Sequence, residues 1–495
     1  MSSTFSTVFI ILCSVFFHHY LLLYRMLSLL FFSNLLTERI SLGSQSRHHS
    51  LAVKMSTIAL IYGILMIAGS SIFMIGRMGW ARGTIFAKMS YGVQTLPSFA
   101  GKWICILAYL GNVQRGTARW LKIESYFTEQ RNPVLQMFYL VLVLPAFFVY
   151  HLHCLPYFDT LEEQVVGSVY CMFGLFTFLV ACYAPNGVVK KGEKSLQDTR
   201  FERDGLFYTK KVEDCRTCKV PRPARSKHCR LCGHCVRRFD HHCAWLNCDV
   251  GEENLRWFHL FLVTHWTLCV YATVTTMQLV FRYIAQKRLW AATFVDGRGN
   301  QYAATPFHIM LHLLRHLPFQ LALSAFCTLV AIMLFFFWLV HLRMAFRNLT
   351  TNETYKISDL LDYCENRLEL KNEWSKELEK RRQASGDSGG KSNGGLKEWS
   401  QLSRQDIEEY LSYPTFTDYD ECDKLANEYI RLVEEDKLKP SKAKNQLEKK
   451  LRKTYCRGSS WSNLVEMLSP TSFLPQSKTS KSPPAAAAAK DRRRK

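Results

Sequence analysis

Apolar residues fall into blocks separated by charged stretches, and block length decides which elements to expect. A helix that crosses a bilayer needs roughly 17 to 25 mostly apolar residues. Four blocks meet that requirement, at 134–150, 165–183, 257–281 and 319–342. A clean span also precedes them at 56–75, and a longer run at 5–32 is interrupted by His18, His19 and Arg25. That run reads as a signal anchor, a poor span or a cleaved signal. Residues 84–112 mix apolar and aromatic side chains with Lys88 and Lys102, which suits an amphipathic interfacial helix or a surface-lying hairpin. Pro145 inside one span is tolerable because packed helices satisfy the carbonyl it frees.

Beyond residue 354 the pattern becomes that of soluble helix. Residues 359–382 are charge-patterned with four-residue pairing options, 385–395 are Gly- and Ser-rich, and a second helical stretch covers 404–453. From residue 469, Pro, Ser, an alanine run and a basic end predict disorder. The predicted class is an all-α polytopic membrane helix bundle with a small cysteine-rich domain and a partly helical tail. Its segments are 1–54 (extension or signal anchor), 55–133 (extra span plus amphipathic segment) and 134–184 (first two core spans). They continue with 185–256 (cysteine-rich domain), 257–345 (last two core spans) and 346–495 (tail).

Charge adds an orientation. The net charge is +22, and Lys and Arg crowd residues 77–131, 190–256 and the tail after His341. Such segments face the cytosol, and the acidic turn with Asp159, Glu162 and Glu163 faces the other side. The loop at 282–315 resists this scheme with Lys287, Arg288 and Arg298. Because the basic residues flank spans, an anionic membrane surface accounts for the charge. The cysteine spacing lacks the helix-bearing C2H2 form, so no nucleic-acid partner is expected.

The chemistry lies in 215–248. Cys215 and Cys218 form one Cys-x2-Cys knuckle and Cys229 and Cys232 another, with Cys235 three residues on, then Asp240-His241-His242-Cys243 and Cys248. Clustered thiols point to metal in a reducing compartment and away from disulfides. Tetrahedral zinc takes four Cys or His ligands. His228 and Cys229, being adjacent, serve different metals. Two sites need eight ligands, which six cysteines and two histidines supply, leaving Cys243 outside both sets. A thiol beside a histidine is a candidate nucleophile, because the imidazole favours the thiolate. Asp240 would orient His241, His241 would act as base toward Cys243, and His242 would face metal.

These residues resemble the DHHC family of protein S-acyltransferases. The likeness runs from Cys215 through Arg222-Pro223-Ala224-Arg225 and the Asp-His-His-Cys tetrapeptide to Trp245, Asn247 and Gly251, and resumes at Thr350-Thr351-Asn352-Glu353. By this resemblance Cys215, Cys218, His228 and Cys235 would hold one zinc, and Cys229, Cys232 and His242 the other. The family's fourth ligand for the second site falls where Asp249 stands, one residue after Cys248. We expect Cys248 to complete that site, because sulfur preserves the ligand type, with an Asp249 carboxylate oxygen as the alternative. Ala244 replaces a common proline, and Ala184-Pro185-Asn186-Gly187 is a degraded form of the family's Asp-Pro-Gly.

The resemblance implies palmitoyl transfer from acyl-CoA, the co-substrate, to cysteines of membrane-associated proteins through an acyl thioester on Cys243, assisted by His241 and Asp240. A non-catalytic zinc-binding membrane scaffold is the alternative. The closest subgroup implies the endoplasmic reticulum or Golgi with the catalytic domain cytosolic, and its extra first span begins at the initiator methionine. Residues 1–54 are therefore expected to be an extension upstream of Met55. Terminal proteomics of the native protein should find Met55 at the start; a peptide from 1–54 would refute this.

Overall fold

The computed structural model describes residues 113–191, 201, 203–295, 299, 301–384, 397–456 and 458–468. The expected features at 1–54, 56–75, 84–112, 385–395 and beyond 469 lie outside the described residues. Among the described residues, four helices are long and apolar enough to cross a membrane: α2 (Val134–His153), α3 (Leu161–Tyr183), α4 (Leu255–Gln286) and α6 (Pro318–Phe346). Helix α1 (Val113–Glu129) precedes them, and Pro145 is accommodated inside α2. A hairpin of β5 (Thr293–Val295) and β6 (Gln301–Ala303) and a short helix, α5 (Pro306–His316), connect α4 to α6. The fold is that of a polytopic helix bundle carrying a cysteine-rich domain.

The described residues divide into two compact units. One comprises those up to Tyr183, with Cys243–Cys248 and His259–Trp338; the other comprises Ala184–His242, Asp249–Phe258 and the chain from Leu339.

Within the first unit, α2 and α3 approach so closely that a Cβ on Gly167 would lie 2.3 Å from the Tyr150 hydroxyl oxygen. A small residue is what permits such an approach between membrane helices. The Tyr139 hydroxyl of α2 lies 2.6 Å from His265 Nε2 of α4, while His265 Nδ1 lies 2.9 Å from the Phe261 carbonyl. That carbonyl can only accept, so Nδ1 carries a proton. The loop that resisted the charge scheme finds part of its balance here, since Arg282 pairs with Asp159 at 3.0 Å and Glu163 at 3.2 Å.

The second unit opens with the cysteine-rich segment. Its strands β1 (Lys227–Cys229) and β2 (His234–Val236) pair with His228 opposite Cys235, and His241 and His242 of β3 (His241–Cys243) and Asp249 and Val250 of β4 (Cys248–Val250) also belong to it. The degraded Asn186-Gly187 turn still does a job: Gly187 O accepts from Arg237 N at 2.8 Å, and a Cβ on Gly251 would lie 2.5 Å from Asn186 O.

The tail contributes α7 (Thr351–Ala384), α8 (Arg404–Glu408), α9 (Tyr419–Glu434), α10 (Pro440–Leu451) and α11 (Ser460–Leu468). The single stretch expected at 404–453 is broken into three helices. Pro440, at the first position of α10, lacks the N–H that a continuous helix would need. Helices α7, α9 and α10 bury Leu360, Cys364, Leu425, Tyr429 and Leu447 with Phe207 and Tyr208. Leu447→Ala is expected to cost about 3 kcal/mol, seen as faster amide exchange across α7, α9 and α10. Unchanged exchange would mean that this core does not hold the tail.

Candidate metal and catalytic site

Two knuckles share one local geometry. Cys218 N donates to Cys215 Sγ, and Cys232 N to Cys229 Sγ, each at 3.4 Å. The residue after each pair takes a left-handed conformation, Lys219 at φ 53° and Gly233 at φ 74°. Its N–H bonds back to the first cysteine's carbonyl at 2.8 and 2.9 Å. The turn thereby points both sulfurs of each pair at one spot.

The first spot gathers Cys215, Cys218, His228 and Cys235, whose donor atoms all lie within 4.8 Å of one another. His228 Nδ1 stands 3.5, 3.2 and 3.9 Å from the three sulfurs. Zinc bond lengths in a tetrahedron put sulfur and nitrogen about 3.6 Å apart, so the donors sit at the edges a four-coordinate ion requires. The pairing of β1 with β2 explains the choice of histidine, since it sets His228 opposite Cys235.

The second spot gathers Cys229, Cys232, His242 and Asp249. His242 Nδ1 lies 3.8 and 3.4 Å from the two sulfurs and 2.9 Å from Asp249 Oδ1. Asp249, given above as the alternative to Cys248, stands in this group. Neighbours on a strand face opposite ways, and Cys248 turns its sulfur toward the Ala181 carbonyl at 3.7 Å. Asp249 is fully buried, and its second oxygen lies 3.3 Å from His234 Nε2. A buried carboxylate beside two thiols and an imidazole suits a divalent cation. Both groups are thus able to hold a metal ion, and Cys243 belongs to neither.

The same alternation governs β3. His242 stands in the second group, and His241, the residue before it on β3, turns to Asp240. Asp240, 3% exposed, holds His241 Nδ1 at 2.6 Å. It accepts in turn from the backbone N–H and hydroxyl of Thr351, at 2.6 and 2.9 Å, and its carbonyl accepts from Asn352 N at 3.1 Å. Burial would raise the Asp240 pKa. The hydrogen bond and charge of His241 outweigh it, helped by His341 and Thr351, and hold the carboxyl well below the usual carboxylate range. An ionised Asp240 keeps the His241 proton on Nδ1 and leaves Nε2 as the atom that exchanges protons.

Glu353 fixes Thr351 in place. It accepts from Thr350 N at 2.9 Å while Thr350 Oγ1 accepts from Glu353 N at 3.2 Å, a reciprocal cap on α7. Its carboxylate takes a two-pronged hydrogen bond from Arg225, both prongs 2.6 Å, with neither side chain exposed. Arg225 also donates to Asn348 O at 2.8 Å and lies between the rings of Phe201 and Tyr455.

Sequence reasoning missed several members. His341 lies 5.7 Å from the His241 ring, and Phe258 stands 5.1 Å from His241 and 5.0 Å from His341. Neither carried a motif signal. Arg238, which shares Asn348 with Arg225 and donates to Glu466 O of α11 at 3.0 Å, was also invisible. Within the first unit, Trp245 packs 5.9 Å from Phe138, and Arg131 donates to Asn247 O at 3.0 Å, which anchors the six residues that begin with Cys243.

The profile of the DHHC palmitoyltransferase family matches residues 209–358. Among curated proteins, palmitoyltransferase ZDHHC4 of Mus musculus is 33% identical over 202 residues, 41% of this chain and 57% of the relative. Palmitoyltransferase swf1 of Schizosaccharomyces pombe is 30% identical over 260 residues, 51% of this chain and 67% of the relative. Palmitoyltransferase SWF1 of Eremothecium gossypii is 52% identical over 71 residues, 14% of this chain and 22% of the relative. The chain spans 53–59% of the length of its ZDHHC4 relatives.

Two substitutions test the second group. Elemental analysis of the full chain should give one metal ion for each of the two groups, with one ion lost in Asp249→Ala and none lost in Cys248→Ser. The reverse pattern would return the thiol to the ligand set. Separately, Glu353→Gln strands the Arg225 charge and should cost about 3–5 kcal/mol, read as exposure of the Asp240 and Thr351 amides to exchange.

Proposed function

The chain belongs to the DHHC palmitoyltransferase family, and from that premise we propose that it is a protein S-acyltransferase acting through Cys243. The observation that carries this reading is the hydrogen-bonded line from Thr351 through Asp240 to His241, on a strand that ends at Cys243. A structural zinc finger has no need of a buried, ionised carboxylate behind a histidine outside its ligand sets.

The proposed cycle has two transfers. In the first, His241 Nε2 takes the Cys243 proton and the thiolate attacks the thioester carbonyl of a long-chain acyl-CoA. The carbon–sulfur bond to CoA breaks, and the CoA thiolate recovers the proton from His241. In the second, a protein cysteine gives its proton to His241 and attacks the Cys243 thioester, releasing Cys243 as thiolate and leaving the acyl group on the substrate. Asp240 keeps the imidazolium oriented and stabilised throughout. The palmitoyl chain and a substrate cysteine close to the membrane suit a nucleophile whose segment is anchored among the spans by Trp245 and Arg131.

Zinc is the metal we assign, from three thiolates and one imidazole in the first group and two thiolates, an imidazole and a carboxylate in the second. When bound, zinc cross-links segments that share little apolar core. In this reading Cys215, Cys218, His228 and Cys235 hold one ion, and Cys229, Cys232, His242 and Asp249 the other. The scaffold alternative drew on a broken second site, and a buried carboxylate in the donor set weakens it.

We place the protein in the endoplasmic reticulum or Golgi membrane with this chemistry on the cytosolic side. Support comes from the crowding of Lys and Arg at 190–256 and after 341. The sequons at Asn348 and Asn352 should then carry no glycan.

Incubation with a clickable palmitoyl-CoA analogue should give a hydroxylamine-sensitive label on Cys243, absent in Cys243→Ser. His241→Ala should slow labelling by roughly a hundredfold or more, the usual weight of a positioned acid–base group. Undiminished label in Cys243→Ser would overturn the assignment.

A further inference from the structure

We propose that helix α5, between the spans α4 and α6, is a bilayer-surface anchor whose outward apolar stripe lies in the acyl layer of the adjoining leaflet. Its eleven residues carry three stripes. Ile309 and Leu313 are buried against Val280, Ile284 and Leu289. His308, His312 and His316 follow at four-residue spacing along a second line. His308 lies 4.5 Å from the Tyr302 ring, His312 takes a 3.3 Å contact from the Tyr283 hydroxyl, and His316 stacks on His312 at 4.0 Å. These two stripes fasten α5 to the end of α4 and to the β5–β6 hairpin, which fixes its rotation.

The third stripe is then committed to face outward. Phe307, Met310 and Leu314, spaced i, i+3 and i+7, are 66%, 49% and 37% exposed, and Trp290 nearby is 64% exposed. A helix that already buries one apolar line and still presents another needs a second apolar partner. Continuity with the spans names that partner. Only Leu317 separates α5 from α6, so the stripe begins level with the end of a membrane-crossing helix. On that helix Ile332 and Phe336 are similarly exposed.

The polar fringe also fits lipid. Lys287, Arg288 and Arg315 are exposed on this connection, and α5 contains no acidic residue. Basic residues beside an apolar stripe meet headgroup phosphates, and an amphipathic tryptophan suits the same depth. This accounts for the basic loop that ran against the charge-based topology: its cations serve the lipid surface locally.

The test uses the full chain in nanodiscs of phosphatidylcholine and phosphatidylserine doped with a phospholipid bearing a diazirine on its acyl chain. After irradiation, lipid adducts mapped by mass spectrometry should fall on Phe307, Met310 or Leu314, as well as on Phe336 of α6, which serves as the internal control. The variant F307D/M310D/L314D should lose the α5 adducts and keep those on Phe336. Labelling of Phe336 without α5 in the wild-type protein would overturn the proposal. Cross-links from α5 to a second copy or to another protein in place of lipid would overturn it equally.

Discussion

A three-residue strand carries two kinds of chemistry because its side chains alternate. His242 stands in a metal-ligand group, while His241 is held by Asp240, and the proposed nucleophile Cys243 follows them in sequence. Everything proposed for this protein depends on that separation. A one-residue slip in β3 would exchange the roles, turning the nucleophile toward metal and the base away from its carboxylate. The structure guards the register from both sides. Asp240 N donates to Val250 O at 2.9 Å, and the Asp240 carbonyl accepts from Asn352 N at 3.1 Å.

The guard is itself buried and charged. Arg225 and Glu353 form an ion pair with no exposure, and such pairs contribute little net stability once desolvation is counted. Their value is geometric. Glu353 caps α7, the cap sets Thr351, and Thr351 holds Asp240 through two hydrogen bonds. A well-packed apolar replacement of the pair could preserve stability and still lose the alignment. Arg238 and α11 extend the same arrangement toward the end of the described chain, so the tail participates in positioning the site.

Much of this was legible in the chain. Block lengths identified the four spans found among the described residues, and knuckle spacing identified the two clusters able to hold a metal ion. Cys248 and Asp249 are adjacent, and ligand chemistry alone favours sulfur, whereas Asp249 stands in the second cluster. Asn247, just before them, takes a left-handed conformation at φ 52°. No residue count reveals that angle. The Arg225–Glu353 pair lay in two motifs that were both visible, but their pairing spans 128 positions and emerges only on folding. His341 and Phe258 sit inside apolar helices where nothing distinguishes them from their neighbours. The broken tail helix is different, since Pro440 stood in plain view within the stretch read as continuous.

The most direct test is a thiol-reactivity profile of the metal-loaded full chain, using timed alkylation with an isotope-coded maleimide and peptide mapping. Cys243 should be modified rapidly, with Cys215, Cys218, Cys229, Cys232 and Cys235 protected until the metal is chelated. Protection of Cys243 that disappears on chelation would instead place its sulfur on the metal.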